Sequence, residues 1–262
     1  MRSKARVRRL FIPGYYSGYS NNKMSLDIAI VLAYLTGRLL VPYRFRLPRR
    51  FPLKTEHNQM IEPMVVPHLF EIPIPWSEEY LFKTWISVPN AVECTWEAVH
   101  ESVFCFPNSP PIDDERFLHF RNGRRYVHSF NERENEAQDL HINAHTLGLF
   151  SYFFYLDDER RRAVVDLMRR VKPKRQYLDA AERIAASLGA FNAIHLRRDD
   201  FVMNELSRKK FTRAASISGQ EIVVNLASRM NRDDPLVILT DGSSREEIFG
   251  PIQHYFRHVI FL

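Results

Sequence analysis

Cysteine is scarce in this 262-residue chain. Cys94 and Cys105 are too few for a disulfide framework, and their spacing matches no zinc or redox motif, so both are expected to be reduced core thiols. Long apolar runs are missing as well. Ile28 to Leu35 falls well short of the roughly 20 residues that span a bilayer, and Leu10-Phe11-Ile12, behind the basic amino terminus, meets Pro13-Gly14 before it could form a signal-peptide core. No asparagine begins a glycosylation sequon with a permitted middle residue. These absences point to a cytoplasmic protein without stable membrane insertion. No helix-turn-helix, finger or RNA-recognition signature accompanies the basic stretch Arg44 to Lys54, which is expected to be a solvated edge.

What is present is material for a substantial core. The chain is 45% apolar and can hold one large domain or two modest ones without staples. Its formal net charge of +6 favours anionic ligands in general, without choosing among nucleotide, nucleic acid and acidic membrane.

The most informative stretch is Phe191-Asn192-Ala193-Ile194-His195-Leu196-Arg197-Arg198-Asp199-Asp200. A short apolar run ending in charge reads as a buried parallel strand that delivers side chains to the crevice above a sheet, where α/β proteins bind ligands. Two adjacent guanidiniums there suit a phosphate or pyrophosphate, because each is a planar fork of donors that stays charged. The plainer alternative pairs Arg197 and Arg198 with Asp199 and Asp200 on a surface loop. By itself the stretch leaves the two even.

The surrounding order is that of an α/β protein. Arg9 to Pro13 is expected as strand, Gly14 to Asn22 as loop, the next segment as a helix carrying Met24, Leu26, Ile28 and Leu35 and capped at Gly37, and Arg38 to Val41 as the returning strand. The Gly- and Asn-rich turn can offer backbone N–H groups to an anion, although Gly14 and Gly18 do not reproduce the G-x-G-x-x-G fingerprint. Tyr43 to Pro111 reads as short strands and loops that either shape a substrate cleft or pack irregularly, with Trp76, Trp85 and Trp96 expected in the core.

Helices are expected over Asp157 to Val171 and Arg175 to Leu188, the second running through Leu178, Ala181, Ile184 and Ala185 and ending at Gly189. Pro173 separates them, which sets candidate domains at residues 1–172 and 173–262. Beyond lie a strand to Leu196, a capping box at Ser218 opening a helix through Met230, a strand from Leu236 to Thr240, a helix toward Tyr255 and a strand from His258 to Leu262. Strands alternating with helices imply parallel sheets. A zinc pair at His141 and His145 on one helix face is the weaker alternative to a structural role, since no H-E-x-x-H pattern or third ligand accompanies it.

Three segments therefore fall at the carboxyl ends of expected strands: Gly18-Tyr19-Ser20-Asn21-Asn22-Lys23, His195 to Asp200, and Thr240-Asp241-Gly242. In order and spacing, over nearly the whole chain, they resemble the GDP-fucose-dependent fucosyltransferases, a group spanning protein O-fucosyltransferases, α1,6-fucosyltransferases and bacterial relatives. The opening unit through Thr36-Gly37-Arg38-Leu39-Leu40-Val41-Pro42 carries the strongest likeness.

The resemblance implies a GT-B architecture, two Rossmann-like domains with parallel sheets, and an inverting, metal-independent transfer of fucose from GDP-fucose to a hydroxyl acceptor. It assigns Arg197 to the pyrophosphate and His195 to the neighbourhood of the base. Arg198 and Asp200 fall around the donor. Asn21, or else Asn22, lines the sugar and acceptor side, with Gly18 in the same loop. Asp241 falls near the guanine-contacting carboxylate, though Gly242 stands where many relatives carry a second acid. Glu205 lies at the offset of the α1,6 group's carboxylate and is the candidate base; a solvated residue beside Arg208, Lys209 and Lys210 is its alternative.

No metal or cofactor is expected, and the partners are a nucleotide sugar and a hydroxyl acceptor rather than nucleic acid. Because the family's last nucleotide-binding segment follows the point where this sequence stops, the second domain is expected to be truncated at its C-terminal end. The alternative function is accordingly a catalytically inactive nucleotide-sugar-binding relative or fragment.

Overall fold

The structure is a computed structural model, and it describes residues 7–14, 19–45, 65–83, 85–96, 102–105, 126–129, 131–144, 152–196, 217–240 and 246–261. The chain divides into two compact units, Met1–Lys174 and Arg175–Leu262, where the sequence set the boundary after residue 172.

The first unit opens with β1 (Arg9–Pro13), α1 (Tyr19–Leu35) and β2 (Leu39–Tyr43), with β1 and β2 parallel. Leu10, Phe11 and Ile12 are fully buried, as expected of a strand covered on both faces. Nearly every position of α1 from Leu26 to Ala33 is also buried, so the helix sits inside the unit rather than on its surface.

Gly37 ends α1 with φ of 61°, the left-handed conformation that glycine adopts without steric penalty. Its N–H donates to the Tyr34 carbonyl and that of Arg38 to the Ala33 carbonyl, a Schellman arrangement that satisfies the helix end. Strand β2 runs two residues past the expected stop. Pro42 is tolerated within it because β2 is an edge strand and proline's missing N–H costs no ladder bond there.

A 3-10 turn (Val66–Leu69) leads into β3 (Phe70–Glu71), followed by β4 (Val92–Trp96), β5 (Ser102–Cys105), β6 (Tyr126–Ser129), α2 (Glu132–Glu136), β7 (Asp139–Ala144), β8 (Tyr152–Tyr155), α3 (Asp158–Arg169) and β9 (Lys172–Pro173). The sheets are β2-β1-β7-β4 and β6-β5-β8, each parallel throughout, and an antiparallel pair β3-β9.

Side chains alternate across the four-stranded sheet. Leu10, Ile12, Leu40, Leu140, Ile142 and Cys94 join the α1 side chains in one core, while Phe11, Val41 and Tyr43 pack with Ile86 on a second. The weaker, helical alternative for His141 and the core placement of Trp85 both fail in this unit. His141 lies on a strand rather than a helix, because the alternation Asp139, His141, Asn143 against Leu140, Ile142 has period two. Trp85 is 74% exposed instead of contributing to the core.

The second unit holds α4 (Arg175–Leu188), β10 (Asn192–Leu196), α5 (Gly219–Ala227), β11 (Leu236–Thr240), α6 (Glu246–Tyr255) and β12 (Val259–Phe261), with the parallel sheet β10-β11-β12. Ser218 caps α5 through a full capping box with Glu221. Leu236, Ile238 and the apolar faces of α5 and α6 form its core. Helix α4 has the expected bounds. None of its residues is buried among those described, and Ile184 is 50% exposed.

Both units are mixed α/β with parallel sheets. Among the described residues no helix is long and apolar enough to cross a membrane.

Candidate functional site

In a parallel sheet the register decides which loops emerge side by side. Asn192 of β10 stands opposite Leu236 of β11, and the pairing continues through His195↔Leu239 to Leu196↔Thr240. Both strands end at the same level. The segment beginning Arg197 follows directly on Leu196, and the segment beginning Asp241 follows directly on Thr240.

His195 is exposed on the sheet face that it shares with Leu239, not on the face carrying Ile194 and Leu196 into the core. Arg197, Arg198, Asp200, Glu205 and Asp241 lie outside the described residues, as does Gly18.

In the first unit the carboxyl end of β1 is tightly built. The Gly14 N–H donates to the Tyr43 carbonyl at 2.8 Å. A Cβ on Gly14 would stand 2.8 Å from Cγ of Phe45 and 2.9 Å from the Arg44 carbonyl oxygen, closer than real side chains approach, so only glycine fits. Arg44 itself takes φ of 60° to bring that carbonyl in.

Helix α1 begins at Tyr19, earlier than expected. Asn21 and Asn22 therefore belong to its first turn and not to a loop. Asn22 is fully buried, and the Asn21 side chain lies outside what is described.

Sequence reasoning overlooked a polar array on this sheet. Register aligns Val41, Phe11, His141 and Glu93 in one row across β2, β1, β7 and β4. His141, only 3% exposed, places Nε2 3.0 Å from the Tyr43 hydroxyl and Nδ1 3.5 Å from Oε1 of the largely exposed Glu93. The Tyr43 hydroxyl also donates to the Ile142 carbonyl at 3.4 Å, and the direction of its bond with Nε2 follows the imidazole tautomer. Burial lowers the imidazole's pKa, with Glu93 pulling the other way, and burial likewise pushes the Tyr43 phenol up. The period-two alternation over Asp139–Ala144 was the signal that could have revealed this array.

One row below, Arg9 grips Asp139 with two bonds of 2.8 and 2.7 Å. On the other face, Arg38 is buried and donates to the carbonyls of Thr36, Glu134, Asn135 and Ala137, closing the end of α2. Burial, with Arg8 nearby, brings its pKa down to about 10. The Cys94 thiol donates to Glu134 at 3.2 Å and is pushed up by burial and by that carboxylate.

No protein-family model and no curated protein matches this sequence. Among solved structures, POFUT1 in complex with GDP-fucose is similar at 11% identity and a TM-score of 0.49, covering 100% of this chain and 86% of that one. The α-1,6-fucosyltransferase NodZ co-crystallized with GDP is similar at 13% identity and a TM-score of 0.42, covering 98% of this chain and 79% of that one. The fucosyltransferase NodZ from Bradyrhizobium is similar at 13% identity and a TM-score of 0.43, with coverage of 98% and 79%. The α/β class of this chain stands on its own strands and registers.

Proposed function

We propose that the protein is a glycosyltransferase of GT-B type that moves fucose from GDP-fucose to a hydroxyl acceptor, with inversion and without a metal. The observation that carries this reading is the β10–β11 register. With Leu196 opposite Thr240, the His195-x-Arg197-Arg198-x-Asp200 and Thr240-Asp241 segments leave neighbouring parallel strands at one level, at the carboxyl edge where α/β sheets receive nucleotides.

In the reaction the acceptor oxygen attacks C1 of the sugar from the face opposite the nucleotide. The C1–O bond to GDP breaks, and GDP departs with the electron pair. In this reading Arg197 meets the charge that grows on the leaving diphosphate, which is the term a fixed guanidinium stabilises most. Glu205 takes the acceptor proton. Asn21, in the first turn of α1, is assigned to the sugar side with Gly18, whereas Asn22 is fully buried. His195, Arg198, Asp200 and Asp241 are assigned to the donor.

The test is transfer itself. Incubation with GDP-fucose and a panel of hydroxyl acceptors is expected to yield one GDP per fucosylated product, insensitive to chelators. Arg197→Ala is expected to abolish turnover while melting as the parent does, and parent-like turnover in that variant removes the mechanism.

A further inference from the structure

Strand β1 lies inside its sheet, between β2 and β7, yet it ends on Pro13. Its backbone N–H groups point alternately to the two neighbours. That of Gly14 donates to the Tyr43 carbonyl of β2 at 2.8 Å, and that of Arg9 to the Gln138 carbonyl, just ahead of β7, at 2.9 Å. Even-numbered residues of β1 therefore bond toward β2 and odd-numbered ones toward β7. Pro13 is odd, and it has no N–H to give. Unlike Pro42 on the edge strand β2, it removes a ladder bond. Ile142 stands as far beyond Gln138 as Pro13 stands beyond Arg9, so the bond that is lost is the one due to the Ile142 carbonyl.

The strand pairing shows the consequence. β1 and β7 keep register from Arg9↔Asp139 only to Phe11↔His141, whereas β1 stays paired with β2 to Pro13↔Tyr43 and β7 with β4 to Trp96↔Ala144. The sheet is parted between its two inner strands at their carboxyl ends. Tyr43, opposite Pro13, spans the parting: its hydroxyl donates to the Ile142 carbonyl at 3.4 Å and meets Nε2 of His141 at 3.0 Å. From Pro13 the chain turns toward β2, since the Gly14 N–H is held by Tyr43, and so leads away from β7. Open α/β sheets take ligands at such a place, outside the carboxyl ends of neighbouring strands whose connections diverge.

We propose that Pro13 is a positioning residue: it stops the β1–β7 ladder at Phe11 and so holds open, between the carboxyl ends of the two strands, a crevice that receives the hydroxyl acceptor. The acceptor's place there rests on the function proposed above; the parting of the strands by Pro13 does not.

The experiment compares the intact parent chain with Pro13→Ala, which supplies the missing N–H, and with a chain carrying lactic acid at position 13, which has the alanine side chain on an ester and no N–H. Hydrogen exchange followed by NMR is expected to show the new amide of Pro13→Ala as protected as that of Phe11, because the ladder closes on Ile142. Fucose transfer to an acceptor from the panel above is expected to show the acceptor KM raised roughly tenfold in Pro13→Ala, with the KM for GDP-fucose unchanged and the ester chain like the parent. A merely structural role would not split the two constants. The proposal is overturned if the new amide exchanges as freely as an unbonded one, if Pro13→Ala keeps the parent's acceptor KM, or if the ester raises that KM as much as Pro13→Ala does. Absence of transfer in the parent overturns the acceptor's place together with the transferase reading, while exchange at position 13 decides by itself whether Pro13 parts the strands.

Discussion

The hydroxyl of Tyr43 at the end of β2 meets Nε2 of His141 in β7 at 3.0 Å, across the intervening strand β1. This pair ties the carboxyl end of an edge strand to the middle of the sheet. The Tyr43 carbonyl in turn holds Gly14, where the chain leaves β1 for α1.

The pair makes stability sensitive to acid. Burial lowers the His141 pKa below its ordinary value of 6.5, so between the two values the unfolded chain binds a proton that the folded one refuses. Stability is then fully present above pH 6.5 and falls as the pH drops through and below it. Melting temperature followed from pH 8 to 5 is expected to decline less in His141→Gln than in the parent; equal slopes contradict the assignment.

Gly14 admits no side chain. Gly14→Ala forces its Cβ against the Phe45 ring and the Arg44 carbonyl and is expected to cost about 1–3 kcal/mol. Phe45→Ala in the same chain should recover only part of that loss, because the backbone oxygen at 2.9 Å remains. Chemical denaturation of the single and double variants measures both.

Arg38 is a structural cation. Arg38→Ala leaves four carbonyls without their buried donor and is expected to lower stability by about 3 kcal/mol. Arg38→Lys should restore only part of it, since three acceptors converge on Nη2 while the Thr36 carbonyl is held from Nη1, and one ammonium cannot occupy both places. Urea denaturation of the two variants is the measurement.

Cys94 is buried, and its thiol is held protonated by burial and by Glu134. In a Cys105→Ser background, a maleimide is expected to label it only as fast as the protein unfolds. Rapid labelling of the native chain would show that the thiol is reachable.

Much of the framework was legible because local signals and global packing agree. The continuous apolar run of β1, the glycine stop at Gly37, the Ser218 capping box and Leu236–Thr240 each carry one dominant signal, and the structure follows them. Signals failed where tertiary context decides. The spacing of His141 to His145 offers a helical pair as the weaker alternative, and the two-residue alternation around His141 makes it a strand residue. Trp85 was placed inside because burial was inferred from residue type alone. At the candidate site, sequence supplies the proposed residues and register identifies the level of the strand ends. The Asn21–Asn22 pair shows the limit of composition, since a Gly- and Asn-rich stretch read as loop is already helix by Tyr19.

The central claim is that the segments following Leu196 and Thr240 bind a nucleotide diphosphate sugar. Calorimetric titration of the intact chain with GDP and with GDP-fucose tests it most directly, alongside Arg197→Ala. The account predicts saturable one-to-one binding, weakened about a hundredfold by that substitution with no change in melting temperature. Absence of binding at millimolar nucleotide, or parent-like affinity in Arg197→Ala, would contradict it.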